Sequence, residues 1–106
     1  MENYNEYLMI SDEIKLNELA SELDIILTFN EMQMHNYTED ICMEKMTELY
    51  KLFNQLMILK QEAIMHNNHK VYDYCEVYLV EAECQMSELK KLYMAKWWLL
   101  KEVIIW

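Results

Sequence analysis

The chain contains neither glycine nor proline in 106 residues. At average usage, a chain of this length holds roughly a dozen of the two together. Tight hairpin turns, short loops between strands and helices, and phosphate-binding loops all use glycine for positive φ angles, so their usual sequence signals are missing. Glycine and proline are also the two residues that most disfavour helix interiors. Their joint absence therefore predicts a chain that is almost entirely α-helical.

Polar segments at residues 34–40 and 65–70 divide the chain into three parts of similar length. Within each part, apolar residues recur at alternating three- and four-residue spacing, which is typical of one apolar helical face. Asn36, followed three residues later by Glu39, offers a capping box for the second helix. Because short polar links make consecutive helices antiparallel neighbours, we expect an all-α, up-down-up antiparallel bundle of three long helices in a single domain. The predicted helices span about residues 4–34, 37–66 and 69–104.

Charge is distributed unevenly along the chain, whose formal net charge is −10. Residues 1–50 hold twelve acidic residues and two lysines, whereas residues 51–106 hold seven of each. Several of the acidic residues stand one helical turn apart, although like charges at that spacing destabilise a helix. This pattern indicates that something other than helix stability maintains them. The candidate partner-binding residues are Glu18, Glu22, Asp40, Glu44 and Glu48.

This charge distribution disfavours direct nucleic-acid binding. Neutralising phosphates requires an excess of lysine or arginine, and base recognition relies on arginine, which the chain lacks. The same negative surface attracts proteins that normally bind a polyanion, because carboxylates about 6 Å apart on successive turns resemble a row of phosphates. We therefore expect a small acidic interaction module that inhibits a basic, nucleic-acid-binding protein, similar in size and charge to phage-encoded anti-defence inhibitors. The alternative interpretation is that the charge only keeps the bundle soluble.

A second functional hypothesis depends on a tyrosine-rich stretch of the third helix. Tyr72, Tyr74 and Tyr78 lie among acidic residues and could line a pocket for a small ligand, such as a nucleotide held between protomers. Tyrosines spread over several helix faces more often serve packing, with their hydroxyls at the water edge. Under this alternative, the protein is a helical oligomer that binds or sequesters its ligand.

The C-terminal residues 94–106, MAKWWLLKEVIIW, are apolar on every face of a helix. Three helices can cover only one side of such a segment, so we expect a second copy of the chain to cover the rest. The alternatives are a partner protein or a membrane surface, the latter favoured by tryptophan and lysine but opposed by the net negative charge. The predicted interface of the homo-oligomer consists of Trp97, Trp98, Ile105 and Trp106.

The sequence indicates no enzyme, because no nucleophile, base and orienting group can be named together. The three cysteines are odd in number and lack C-x-x-C spacing, which favours reduced, buried thiols in the cytoplasm. His35 falls at one end of an antiparallel bundle and His66 with His69 at the other, so we expect no metal or other cofactor. The sequence shows neither a basic N-terminal region nor an apolar run of membrane-spanning length. We therefore expect a cytoplasmic protein without a membrane span.

Overall fold

The computed structural model describes the backbone of residues 2–98 and the side chains of residues 6–98. Apart from the two links at residues 37–38 and 66–68, this part of the chain is helical, and it contains no strand. The prediction of an all-α fold with three packed helices is confirmed. The elements are α1 (Glu2–Gln33), a 3₁₀ turn (Met34–Asn36), α2 (Glu39–Met65), α3 (His69–Tyr93) and a π-helical turn (Met94–Trp98).

Contacts between the helix ends show that consecutive helices run antiparallel. In the first half of α1, the ammonium of Lys15 lies 2.9 Å from a carboxylate oxygen of Glu62, near the end of α2. At the start of α2, Glu39 accepts a hydrogen bond of 3.1 Å from the hydroxyl of Tyr93, the last residue of α3. The molecule is accordingly elongated, at 66 × 25 × 17 Å. Because α2 packs more extensively against α3 than against α1, a groove stays open between α1 and α2.

The core consists of two clusters arranged along the length of the bundle. Each fully buried leucine contributes about 1.5–3 kcal/mol relative to an exposed one, so these clusters supply the main stabilising term. The first cluster lies toward the link between α1 and α2, and its buried residues are Leu23, Ile26, Tyr37, Cys42, Leu49, Leu52, Ala82 and Leu89. The second lies toward the link between α2 and α3, and its buried residues are Leu16, Leu56, Leu59, Ala63, Val71, Cys75 and Leu79.

The link between α1 and α2 is capped differently from the sequence expectation. Thr38, and not Asn36, precedes α2 as its cap, and the Thr38 hydroxyl accepts a hydrogen bond of 3.3 Å from the backbone N–H of Ile41. Asn36 instead ends the 3₁₀ turn. Between them, Tyr37 leaves the helical path and is buried, and its hydroxyl donates a hydrogen bond to Oδ1 of Asn30 in α1. Burial of this tyrosine explains why the second helix begins two residues later than predicted.

Asparagine takes the place of glycine in the link between α2 and α3. Asn67 has a φ angle of 54°, in the left-handed region that asparagine tolerates better than most other residues. The next residue, Asn68, is buried, and its Oδ1 accepts a hydrogen bond of 3.3 Å from the N–H of Val71, which caps α3. Its Nδ2 donates to the carbonyl of Met9 at 3.3 Å. The link is therefore fastened to α1 as well as to α3.

The third helix departs from the predicted continuous α-helix to residue 104. Its α geometry ends at Tyr93, and a π-helical turn follows over Met94–Trp98. A π turn holds more residues than an α turn, so it changes which side chains face the bundle. Within the turn, the ammonium of Lys96 donates a hydrogen bond of 3.0 Å to the carbonyl of His35. Residues 99–104 of the predicted helix lie outside the described residues.

Candidate interaction surface

An open groove is lined by residues of α1 and α2 alone. Its larger part has a volume of about 410 Å³ and combines the buried side chains of Ile26 and Leu52 with the carboxylates of Glu22 and Glu48. A smaller part of about 240 Å³ continues from it, because Gln55 lines both. The remaining lining residues of the larger part are Ile25 and Lys51, and those of the smaller part are Lys15, Glu18, Leu19, Ile58, Leu59 and Glu62.

The groove brings together three of the five acidic residues predicted to bind a partner. Glu22 of α1 and Glu48 of α2 line its larger part, and Glu18 of α1 lines the smaller part. Asp40 and Glu44 are exposed. Asp40 lies two helical turns before Glu48 and Glu44 lies one turn before it, so all three are on the same side of α2. The five carboxylates therefore form two rows, one on each helix.

Lysines neutralise only part of this negative charge. Lys45 lies 3.3 Å from Glu48, its neighbour on α2, and Lys15 lies 2.9 Å from Glu62 across the groove. The hydrogen bond to Glu62, together with the attraction between the two charges, raises the pKa of Lys15. Within residues 6–98, the other four predicted acidic residues take part in no ion pair. Sequence reasoning missed Glu62, because its place beside Lys15 depends on how two helices pack.

The structure separates the three tyrosines of the alternative ligand site. The rings of Tyr74 and Tyr78 stack with centroids 6.2 Å apart and planes at 19°, and they line a depression of about 290 Å³ between α1 and α3 together with Lys70. Tyr72 lines another depression, next to the link between α2 and α3. Its hydrogen bond to Glu76 raises the pKa of Tyr72. Tyr72 therefore lines a different depression from Tyr74 and Tyr78.

Two of the four predicted oligomer-interface residues fall in the described part of the chain. Trp97 packs against the first core cluster, with its ring centroid 5.8 Å from that of Tyr93. Trp98 is 43% exposed. Ile105 and Trp106 lie outside the described residues. One tryptophan therefore faces the core and the other is partly exposed to solvent, while the oligomer itself stays a prediction.

The two buried cysteines are poorly suited to nucleophilic chemistry, which requires a thiolate. Burial raises the pKa of Cys42, and burial together with the nearby charge of Asp12 raises the pKa of Cys75 to about 11. Cys84 is exposed, so the expectation of three buried thiols is wrong for this residue. It stands two positions after the buried Ala82 and therefore turns away from the core face of α3.

Two buried polar residues of α1 were missed by the sequence reasoning. Oδ2 of Asp12 lies 2.8 Å from Nδ1 of His66, and Oδ1 of Asn30 accepts the hydrogen bond from Tyr37. The second polar atoms, Oδ1 of Asp12 and Nδ2 of Asn30, are buried without a hydrogen-bond partner in the described structure. Both residues stand in phase with the apolar core stripe of α1, and this in-phase position is the signal that could have identified them.

The described residues place no group of three or more histidine, cysteine, aspartate or glutamate side chains where it could hold a metal ion. None of the helices, as far as residues 2–98 show, is both long and apolar enough to cross a bilayer. No protein-family model matches the chain, and comparisons with curated proteins and with solved structures find no match either. The features of the described chain that bear on function are therefore the groove, its charge and the exposed apolar surface.

Proposed function

We propose that the protein is a non-enzymatic interaction module that acts in the cytoplasm by docking on a basic surface of another protein. In its most specific form, it inhibits a nucleic-acid-binding protein by occupying the surface that would otherwise hold phosphates. The observation that carries this proposal is the pair of carboxylate rows beside the α1–α2 groove. These residues, the acidic face, are Glu18, Glu22, Asp40, Glu44 and Glu48.

The geometry of the acidic face suits a basic partner for two reasons. Side chains one helical turn apart are about 5–6 Å from each other, and the packing of α1 on α2 adds a second row across the groove. Carboxylates that flank an apolar groove focus their field into it, which attracts cationic groups and speeds their association. Because four of the five form no ion pair within residues 6–98, a lysine or arginine that contacts these four breaks no internal pair, and only Glu48 would have to leave Lys45.

A neutralised variant tests this proposal. Wild type and variant would be immobilised to capture proteins at low salt from a lysate of the cells that encode the chain. The affinity of the captured protein would then be measured at increasing salt. We expect wild type to capture a basic protein whose affinity falls steeply with salt, and the variant to bind it at least about tenfold more weakly through slower association. The variant carries Glu18→Gln, Glu22→Gln, Asp40→Asn and Glu44→Gln, and a fifth change, Glu48→Gln, should weaken binding further.

A charge-matched control separates the acidic face from net charge. It neutralises four exposed acids of α3 that form no ion pair in the described part of the chain. We expect this control to bind the partner within about twofold of wild type. Equal losses in the two variants, or tight and fast binding by the neutralised acidic face, would show that the charge serves only as a solvated surface. The control carries Asp73→Asn, Glu81→Gln, Glu83→Gln and Glu88→Gln.

One observation favours a second candidate function, the binding of a nucleotide-like ligand between protomers. The stacked rings of Tyr74 and Tyr78 line the same depression as the ammonium of Lys70, which lies 3.8 Å from a carboxylate oxygen of Glu13. The rings can stack on a base and the ammonium can contact a phosphate. Binding of ATP measured by calorimetry, and abolished by Tyr78→Leu, would support this function. A full-length protein that shows no heat of binding to millimolar nucleotide would exclude it.

We also propose that the chain self-associates through its C-terminal segment. Trp98 presents a large apolar side chain to solvent directly beside Trp97, which packs on the core. Covering this surface with a second copy would remove it from water.

A further inference from the structure

The first helix is apolar on two opposite faces. Its inner face is buried in the core, whereas five large apolar side chains on its outer face are between 54% and 71% exposed. At about 100° per residue, these five side chains point within about 60° of one another. They form a stripe about 37 Å long, at 1.5 Å per residue. This outer stripe consists of Tyr7, Ile10, Ile14, Ile25 and Met32.

The outer stripe is continuous with the groove between α1 and α2. Ile25 belongs to the stripe and also lines the larger part of the groove, next to the buried Ile26 and Leu52. Across the smaller part, α2 adds the side chain of Ile58, which is 59% exposed. The apolar surface of α1 therefore extends sideways into a trough bounded by two helices. A trough of this shape matches the ridge of side chains along another helix.

Charge decides which helix the trough fits. Residues 6–33 of α1 carry seven acidic side chains and a single lysine. A symmetric dimer would place the same patch of both copies together, so packing α1 of a second copy on the outer stripe would bring like charges into contact. Glu18 stands at the edge of the stripe, one helical turn after Ile14 and about two turns before Ile25. An occupant that buries the stripe must therefore carry a lysine or arginine opposite Glu18, with further basic residues along its edges.

We propose that the outer stripe and the groove bind an amphipathic helix of a partner protein, with an apolar face bordered by lysine or arginine and a basic residue near its middle. This inference depends on the proposed function, because it uses the acidic face to attract the partner, and it adds the structural element that the partner supplies. The acidic residues select the partner by charge, while Ile14, Ile25 and their neighbours bury its apolar side chains. Complementary charge mainly sets the association rate, and the apolar contact mainly sets the dissociation rate.

A synthetic peptide serves as the probe. It is a fluorescein-labelled amphipathic helix of about 18 residues, five turns, built from leucine and lysine, with one lysine halfway along the edge of its leucine face. Binding to the full chain would be followed by fluorescence anisotropy. We expect Ile14→Gln with Ile25→Gln to weaken binding at least about tenfold, since two buried isoleucine contacts are lost. Glutamine favours helix, so circular dichroism should show unchanged helicity.

A matched control replaces two apolar residues of similar exposure on α3, Val77 and Val80, at 53% and 58%. Val77→Gln with Val80→Gln should bind the peptide within about twofold of wild type. If the double variant at Ile14 and Ile25 loses helicity, the single change Ile25→Gln, at the mouth of the groove, should still weaken binding by about threefold or more. Peptide binding that is equal for wild type and the stripe variants would overturn the inference.

The neutralised acidic face separates this inference from the proposed function. If neutralisation weakens peptide binding and the stripe variants do not, the acidic face binds basic partners without the trough, and only this inference fails. If neutralisation leaves binding unchanged, both fail. If a leucine–glutamate peptide binds as tightly as the leucine–lysine peptide, charge does not select the partner.

Two other occupants of the stripe are tested with Ile25→Gln. A dimer that dissociates in this variant, seen by light scattering, would assign the stripe to a second copy. Loss of binding to phosphatidylcholine vesicles in the same variant would assign it to lipid. Either outcome overturns the inference.

Discussion

Removing His66 is expected to destabilise the bundle by leaving a buried carboxylate without its partner. The side chain of Asp12 is 1% exposed and that of His66 is 17% exposed, and the two meet at 2.8 Å between α1 and the end of α2. The other carboxylate oxygen of Asp12 is also buried and has no hydrogen-bond partner among the described residues. In His66→Ala, neither oxygen of Asp12 would have a protein partner from α2.

The size of the effect follows from burial. Breaking a buried charge pair by removing one member costs about 3–5 kcal/mol, and leaving a neutral buried group unpaired costs about 1–3 kcal/mol. Because His66 is partly exposed, its removal lets water approach Asp12, so we expect a loss near the lower end, about 2–3 kcal/mol. In an Asp12→Asn background the group left behind is an amide, and His66→Ala should cost only about 1 kcal/mol. The pair is therefore expected to be non-additive.

Urea unfolding followed by far-ultraviolet circular dichroism measures all four members of this cycle. The urea dependence of the unfolding free energy should be the same in each, so that midpoints report stability alone. His69→Ala is the control, since His69 is exposed at the first position of α3, and it should change stability by less than about 0.5 kcal/mol. If His66→Ala costs no more than this control, or costs the same with aspartate and with asparagine at position 12, the pair does not hold α1 to α2.

Four further predictions concern cysteine, tyrosine and tryptophan side chains. At neutral pH a thiol reagent should label Cys84 in the folded protein but Cys75 only after unfolding. Burial raises the pKa of Cys75 from 9.0 to about 11. The stability contributed by the neutral, buried thiol is therefore full below about pH 9 and is lost as the pH rises toward 11. Urea titrations should show that Cys75→Ala lessens this loss. Tyr37→Phe should lower the free energy of unfolding by about 1–3 kcal/mol in the same assay, because it leaves Asn30 unpaired. If Tyr37→Phe costs less in an Asn30→Leu background, this cause is confirmed. Light scattering after gel filtration should give wild type a mass above 13.0 kDa and Trp98→Gln a smaller one, whereas a wild type of monomer mass would refute self-association.

The sequence predicts which acidic residues share one side of a helix, but not how the two helices arrange them around the groove. The spacing of Glu18 and Glu22 placed both on one side of a helix, and the same reasoning applied to Asp40, Glu44 and Glu48 on α2. That Glu22 and Glu48 would line one groove could not be predicted, because periodicity describes each helix separately. The relative position of two helices along their axes decides which side chains of one helix contact those of the other.

By itself, the sequence determined that this protein is helical and that each helix carries an apolar face. Missing glycine and proline leave few alternatives to helix, and a three- and four-residue apolar repeat encodes a buried face through local geometry alone. Only the tertiary structure decided that Asp12 meets His66, that Tyr37 leaves the helix to reach Asn30, and that the outer stripe of α1 opens into a groove. These features arise because the two core clusters set the register of the helices, and register depends on contacts between residues far apart in the chain.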